Sequence, residues 1–164
     1  MVQLAGDVGA DNSRPGALVV DPKQLLGQPA SVMVLDMGTC GASDLSAYRS
    51  LRLSGSGIAQ GLVGWFVLRC CDEHADHLDT GPKAEPTHWE QQWMPFGDPL
   101  KVHGGVDVEI VLALSDRSAM TFLHLPGAQG WLCFDCDRGL RSTESPWDRG
   151  VHAGPCDLVS SADR

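Results

Sequence analysis

VDVEIVLAL, residues 106–114, places Val106, Val108, Ile110, Leu112 and Leu114 at every second position, with Asp107 and Glu109 opening the opposite face. Alternation with a period of two is the signature of a half-buried β-strand and is incompatible with a helix, whose apolar positions recur every three or four residues. On either side of this stretch the same kind of material recurs: ALVVD, SVMVLDM, YRSLRLS and LVGWFVLRCC, then HWEQQWMPF upstream, and AMTFLHL and GWLCFDC downstream. Clusters of Gly, Pro, Asp and Ser separate these runs. Eight short strands at such spacing predict an all-β domain, a barrel or a sandwich. Its core is expected from alternating positions such as Val63, Trp65, Val67, Val108, Ile110, Leu112, Phe122 and Leu132. VDPKQLL, residues 20–26, is the exception to strand content. There Asp21 can cap a helical turn and Pro22 suits its first position.

Residues 1–16 and 142–164 are rich in Gly, Asp, Ser and Pro and poor in periodic apolar positions, so they are expected as irregular polar tails around a single domain at 17–141. The C-terminal stretch holds Trp147, Val151 and Leu158, too little apolar area to fold alone against the entropy of ordering. These three residues are therefore expected as partner-binding contacts.

At 164 residues the chain supports one ordinary domain. Its formal charge of −9 comes from 21 acidic against 12 scattered basic residues, which excludes a phosphate-binding surface; no nucleic-acid partner is expected. The longest apolar candidate, from Ile58 to Cys71, is interrupted by Gln60, Gly61, Gly64 and Arg69, so no transmembrane segment is expected. The opening MVQLAGDVGADNSRPG has neither a basic region before an apolar one nor transit-peptide character. An intracellular location follows, cytoplasmic by default, with the six cysteines expected as reduced thiols.

PTHWEQQ, residues 86–92, resembles the threonine-histidine-tryptophan loop of the protein arginine methyltransferases. It stands after LVGWFVLRCC and the TGP turn, and before DPLKVHGGVDVEI, in the order that family shows. VVDPKQLL at 19–26 resembles the segment opening the main part of the family's barrel, and MTFLHLPGAQGWLCFDC its closing hairpin. The resemblance covers residues 17–141 and implies a single arginine-methyltransferase-like β-barrel.

In that family the methyl donor, S-adenosylmethionine, is held by a Rossmann-like half with a glycine-rich loop, and paired glutamates grip the substrate guanidinium. Neither can be assigned here: MGTCGAS, residues 37–43, lacks a complete G-x-G-x-x-G and a following helix, and reads as a turn. The resemblance thus implies no catalytic residue and no cofactor, with Thr87, His88 and Trp89 as a vestigial substrate loop. Two roles are open. One is a non-catalytic scaffold or accessory subunit whose partners are other protein subunits. The other is the barrel subunit of a split or partnered arginine methyltransferase, with the cofactor domain on a second, methyltransferase-fold chain.

Three other arrangements are weighed against bland readings. Cys71, His74 and His77 have spacing compatible with zinc, but DEHADH falls where the family has a strand connection. Cys133 and Cys136 form a C-x-x-C pair whose odd separation points the thiols to opposite faces of a strand, so no metal is expected. Ser54 and Ser56 in LSGSGIA faintly resemble a nucleophile elbow without the full G-x-S-x-G, and read as a hairpin turn.

Overall fold

The computed structural model describes residues 1–9, 14–41, 45–69, 77–115, 119–135 and 140–151. Among them twelve strands run in chain order. They are β1 (Val2–Ala5), β2 (Gly16–Leu18), β3 (Leu25–Ala30), β4 (Ser46–Leu53), β5 (Gly57–Gly64), β6 (Val67–Arg69), β7 (His77–Asp79), β8 (Gln91–Val102), β9 (Val106–Leu114), β10 (Ala119–His124), β11 (Leu132–Asp135) and β12 (Leu140–Ser142). The first sheet has the order β2-β8-β5-β1-β3, the second β12-β11-β10-β9-β4, and β6 with β7 forms a small ribbon. The all-β expectation holds. The two large sheets face one another and are not joined into one closed ladder among the described residues. No helix is long and apolar enough to cross a membrane.

The alternation in β9 does what its pattern dictates. Val108 and Ile110 point between the sheets, where they meet Leu4 of β1, Leu62 of β5, Phe96 of β8, Leu53 of β4 and Phe134 of β11. Val111, however, packs on the outer face of the second sheet with Phe122, Cys133 and Val151. The outer face of the first sheet carries a third apolar group, Ala5, Val20, Val63 and Trp93. Both sheets are therefore apolar on both faces in places, and this corrects part of the expected core. Phe122 and Val63 are buried on outer faces while their neighbours Leu123 and Leu62 fill the interior. Val67 is 37% exposed and belongs to no core.

The expected tails are corrected as well. Val2–Ala5 is a buried strand inside the first sheet, antiparallel to both β3 and β5. Its polar member, Gln3, is buried because its side-chain amide donates to the Gly27 carbonyl at 2.7 Å. At the other end, residues up to Val151 fold back on the domain: Ser145 and Asp148 bond each other's side chains and backbone, and the Val151 amide closes the turn on the Pro146 carbonyl at 3.0 Å. The turn buries Val151 against Val111 and Phe122.

SVMVLDM is not a strand. The preceding LLGQPA takes that place as β3, with Gly27 at φ +78 where a Cβ would overlap the Ser54 carbonyl, so only glycine lets the chains approach. The helical turn at Pro22–Gln24 is present, with Asp21 accepting from the Lys23 amide and Gln24 returning a bond to the Asp21 amide.

Ile110→Ala is expected to cost roughly 2–5 kcal/mol in urea unfolding, from lost transfer energy plus a cavity between the sheets. Val67→Ala should stay within about 0.5 kcal/mol, as an exposed substitution does; equal costs would contradict this assignment of faces. Burial pushes the Cys133 thiol up, whereas Cys40 is only half-buried. Because the thiolate is the nucleophile, iodoacetamide on the native chain should label Cys40 well before Cys133, as mass spectrometry of the peptides will read.

Candidate functional site

The loop Thr87–Trp89 sits at one end of the sandwich and is built from the strand that follows it. Gln91, the first residue of β8, is buried, and both ends of its amide are used: the carbonyl oxygen accepts from the Val20 amide at 2.9 Å and the nitrogen donates to the Thr80 carbonyl at 2.7 Å. One side chain thus ties the base of the loop to the segment after β2 and to the Thr80-Gly81-Pro82 turn. Thr80 is fixed in its turn: its hydroxyl donates to the Phe66 carbonyl at 3.1 Å, and its backbone amide bonds the same carbonyl at 3.2 Å. A Cβ on Gly81 would lie 2.6 Å from the indole nitrogen of Trp65 and 2.8 Å from the Asp79 carboxylate, so a side chain there would have to displace them.

Above this base the Thr87 hydroxyl accepts from the Trp89 amide at 3.2 Å and donates to the Trp89 carbonyl at 3.0 Å, which curls the loop onto itself. The His88 ring lies over the Trp89 indole with centroids 3.7 Å apart. Trp89 meets Phe66 edge to face at 6.0 Å and 75°. Both aromatic rings are 45% exposed, and His88 is exposed. Trp89 stands between two hollows: one of about 60 Å³ bounded by Val20, Thr80, Pro86 and Gln91, the other a larger cleft between the sheets.

The structure brings Thr87, His88 and Trp89 together, as the motif implies. The proposed partner contacts divide. Trp147 is 55% exposed and leans on Trp131 at 6.1 Å; Val151 is buried within the domain and is not free to meet a partner; Leu158 lies outside the described residues. Cys71, His74 and Cys136 also lie outside them. His77 is in β7 opposite Arg69, and among the described residues no group of three metal-ligating side chains converges.

Ser54 and Ser56 do not sit in a hairpin, because they join β4 of the second sheet to β5 of the first. Their hydroxyls accept from the Gln28 and Gly104 amides at 2.8 and 2.9 Å, which assigns them to the corner. The MGTCGAS segment begins as a turn, with the Gly38 amide on the Asp36 carboxylate and the Cys40 amide on the Asp36 carbonyl. The Gly38 amide, with a side-chain bond from Thr39, holds the Asp36 carboxyl below its usual range.

A family model, the arginine methyltransferase oligomerization subdomain, matches residues 8–122. The chain belongs to that family. Human protein arginine N-methyltransferase 2 is 30% identical over 120 residues, 69% of this chain and 28% of that protein. Protein arginine N-methyltransferase 6 of Xenopus laevis is 26% identical over 138 residues, 81% of this chain and 39% of its relative. Among solved structures, the Trypanosoma brucei PRMT1 enzyme-prozyme heterotetrameric complex with AdoHcy contains a chain that matches with a TM-score of 0.63 at 22% identity. That match covers 80% of this chain and 49% of the other, and it shows a common fold. The chain spans less than two fifths of the length of these two curated relatives, and no methyltransferase domain is evident in its 164 residues.

The sequence reading missed Gln91. Its signal was available, since Gln91 shares with Trp93 a buried phase of β8, and a polar residue in a buried phase demands partners. Gln91→Leu strands the Val20 amide and the Thr80 carbonyl, both buried, and is expected to cost roughly 2–4 kcal/mol at 1–3 kcal/mol for each unsatisfied group. Gln91→Glu keeps an acceptor for Val20 but turns a second one on the Thr80 carbonyl, and should not restore stability. Denaturant unfolding checks both; a loss below 0.5 kcal/mol, the level of a surface change, would contradict the role.

Proposed function

We propose that the chain is a non-catalytic accessory or scaffold subunit of a larger protein assembly, built on the barrel half of an arginine methyltransferase. The observation that supports this reading is the exposed aromatic pair at the loop end, Phe66 and Trp89, each 45% exposed and in ring contact, with Val67 and Leu68 of the adjoining β6 also 37 and 43% exposed. Single exposed apolar residues are ordinary, but two exposed aromatic rings in contact, beside further exposed apolar residues, support an interaction surface. Trp147, a large and half-exposed aromatic ring far along the chain, is a second anchor for a partner.

The second reading is a partnered methyltransferase, and the exposed His88 on Trp89 favours it. The Trypanosoma relative comes from an enzyme-prozyme heterotetramer; a comparable pairing here would set Thr87, His88 and Trp89 beside a catalytic centre supplied by a methyltransferase-fold chain. In the second reading S-adenosylmethionine binding belongs to the partner, and in the first this chain takes no part in it.

Tagged chain expressed in its native cells should stay with a stoichiometric partner through size exclusion. Leu68→Asp, an exposed change, should release that partner with the unfolding midpoint unshifted; retention of the partner would contradict the docking surface. Methyl transfer to arginine peptides by the complex, lost when the chain is removed, selects the second reading, and unchanged transfer selects the first. Alone, the chain should give no heat with S-adenosylmethionine in calorimetry, and one-site micromolar binding would overturn the non-catalytic assignment.

A further inference from the structure

A half-open cavity of about 200 Å³ lies on the outer face of the first sheet, between β1, β3 and the turn that follows β7. It is smaller than the roughly 300–1,000 Å³ of drug-sized sites, so it admits only a small molecule. Gln3 lines it although that residue is only 1% exposed. The Gln3 side-chain nitrogen donates to the Gly27 carbonyl at 2.7 Å, while its side-chain oxygen accepts from no group among the described residues. Trp65 lines the same space, and its indole N–H, close against Gly81, likewise has no acceptor among the described residues. Buried polar groups are nearly always paired, so an acceptor and a donor left open on one cavity mark the place of a water or a ligand.

We propose that this cavity binds a small neutral carboxamide, its N–H donating to the Gln3 oxygen, its carbonyl accepting from the Trp65 indole, and its apolar remainder against Leu25 and Pro82. The choice follows from the two open groups. An amide edge presents N–H and C=O side by side and satisfies both. A carboxylate accepts from Trp65 but sets a lone pair against the Gln3 oxygen, and an ammonium donates to Gln3 but gives Trp65 no acceptor; each leaves one group unpaired, at the cost of its desolvation. Charge favours neither ion. The half-buried Asp79 carboxylate, which accepts from the Gly81 amide at 2.7 Å, and the exposed Lys83 ammonium both border the cavity. The Met1 ammonium, which donates to the Trp65 carbonyl at 2.8 Å, attracts the same Asp79 carboxylate. The cavity includes no residue of the Thr87–Trp89 loop and needs no second chain, so the inference is independent of the docking reading.

Benzamide, acetophenone, benzoate and benzylammonium share one ring and differ in the edge they present. Titrated into the whole isotopically labelled chain and followed by NMR, benzamide should saturate one site and shift the Trp65 indole signal together with the Gln3 side-chain amide signals. Acetophenone, which lacks the N–H, and both ions should bind about tenfold more weakly, the upper end of what one neutral hydrogen bond contributes. Gln3→Met removes the acceptor and should weaken benzamide by a similar factor while leaving acetophenone unchanged; the Gly27 carbonyl it releases belongs to an exposed residue and is open to water. Trp65→Phe keeps an aromatic ring and removes the indole N–H, so it should weaken benzamide and acetophenone alike, and it decides the matter if Gln3→Met does not fold. Lys83→Ala, an exposed substitution, should leave both affinities unchanged. Acetophenone or benzoate binding as tightly as benzamide, benzamide shifts centred on Trp89 instead of Trp65, or a loss in Lys83→Ala equal to that in Trp65→Phe would overturn the inference. So would the absence of saturable benzamide binding, since the cavity would then hold only water.

Discussion

A single buried amide governs the functional end of this protein. Gln91 has no solvent to satisfy it, so its two polar atoms must be matched, and the matching groups belong to segments 71 and 11 residues away in the chain. Once Val20 and Thr80 are tied to it, the Thr80-Gly81-Pro82 turn, the Phe66 backbone and the base of the Thr87–Trp89 loop have one mutual arrangement. Two residues on and in the same phase of β8, Trp93 on the outer face of the first sheet is the largest fully buried side chain among the described residues. Its ring lies where any side chain at position 61 would collide, since a Cβ on Gly61 would fall 2.5 Å from it. Loop and sheet are thereby set by consecutive buried positions in one phase of one strand.

The interior was legible in the alternation of β9, because Asp107 and Glu109 mark which face is wet. It was ambiguous in LVGWFV and MTFLHL, where both phases are apolar. Period two then says that a strand exists without saying which side is inside, and so Val63 and Phe122 were placed between the sheets when they cover the outer faces. Val2–Ala5 was missed for a related reason. Four residues are too few to display a period, and Gln3 looks polar until its bond to the Gly27 carbonyl is known. Val151 illustrates the opposite error: its polar surroundings suggest a tail, but a Ser145-Asp148 turn returns it to the domain.

For the site, the motif pointed to Thr87, His88 and Trp89 through resemblance to a family, and the match over residues 8–122 establishes that family. Physical reading of composition alone would have stopped at an acidic all-β domain. What the sequence could not show was that Trp89 and Phe66 come together from residues 23 apart, one before the β6–β7 ribbon and one after it. Their juxtaposition joins the loop to an exposed apolar surface and to the mouth of the cleft. The exposed aromatic face of the loop is therefore made by this chain's own packing.

This end of the domain is assembled by the chain alone, before any partner arrives. Amide hydrogen exchange on the purified chain tests it most directly. The Val20 amide, held by Gln91, should exchange as slowly as the β8 amides between Trp93 and Phe96, in contrast to exposed amides such as that of Gly130. Exchange of Val20 at the rate of an unstructured peptide, slowed only when a second protein is added, would mean that the partner builds the site.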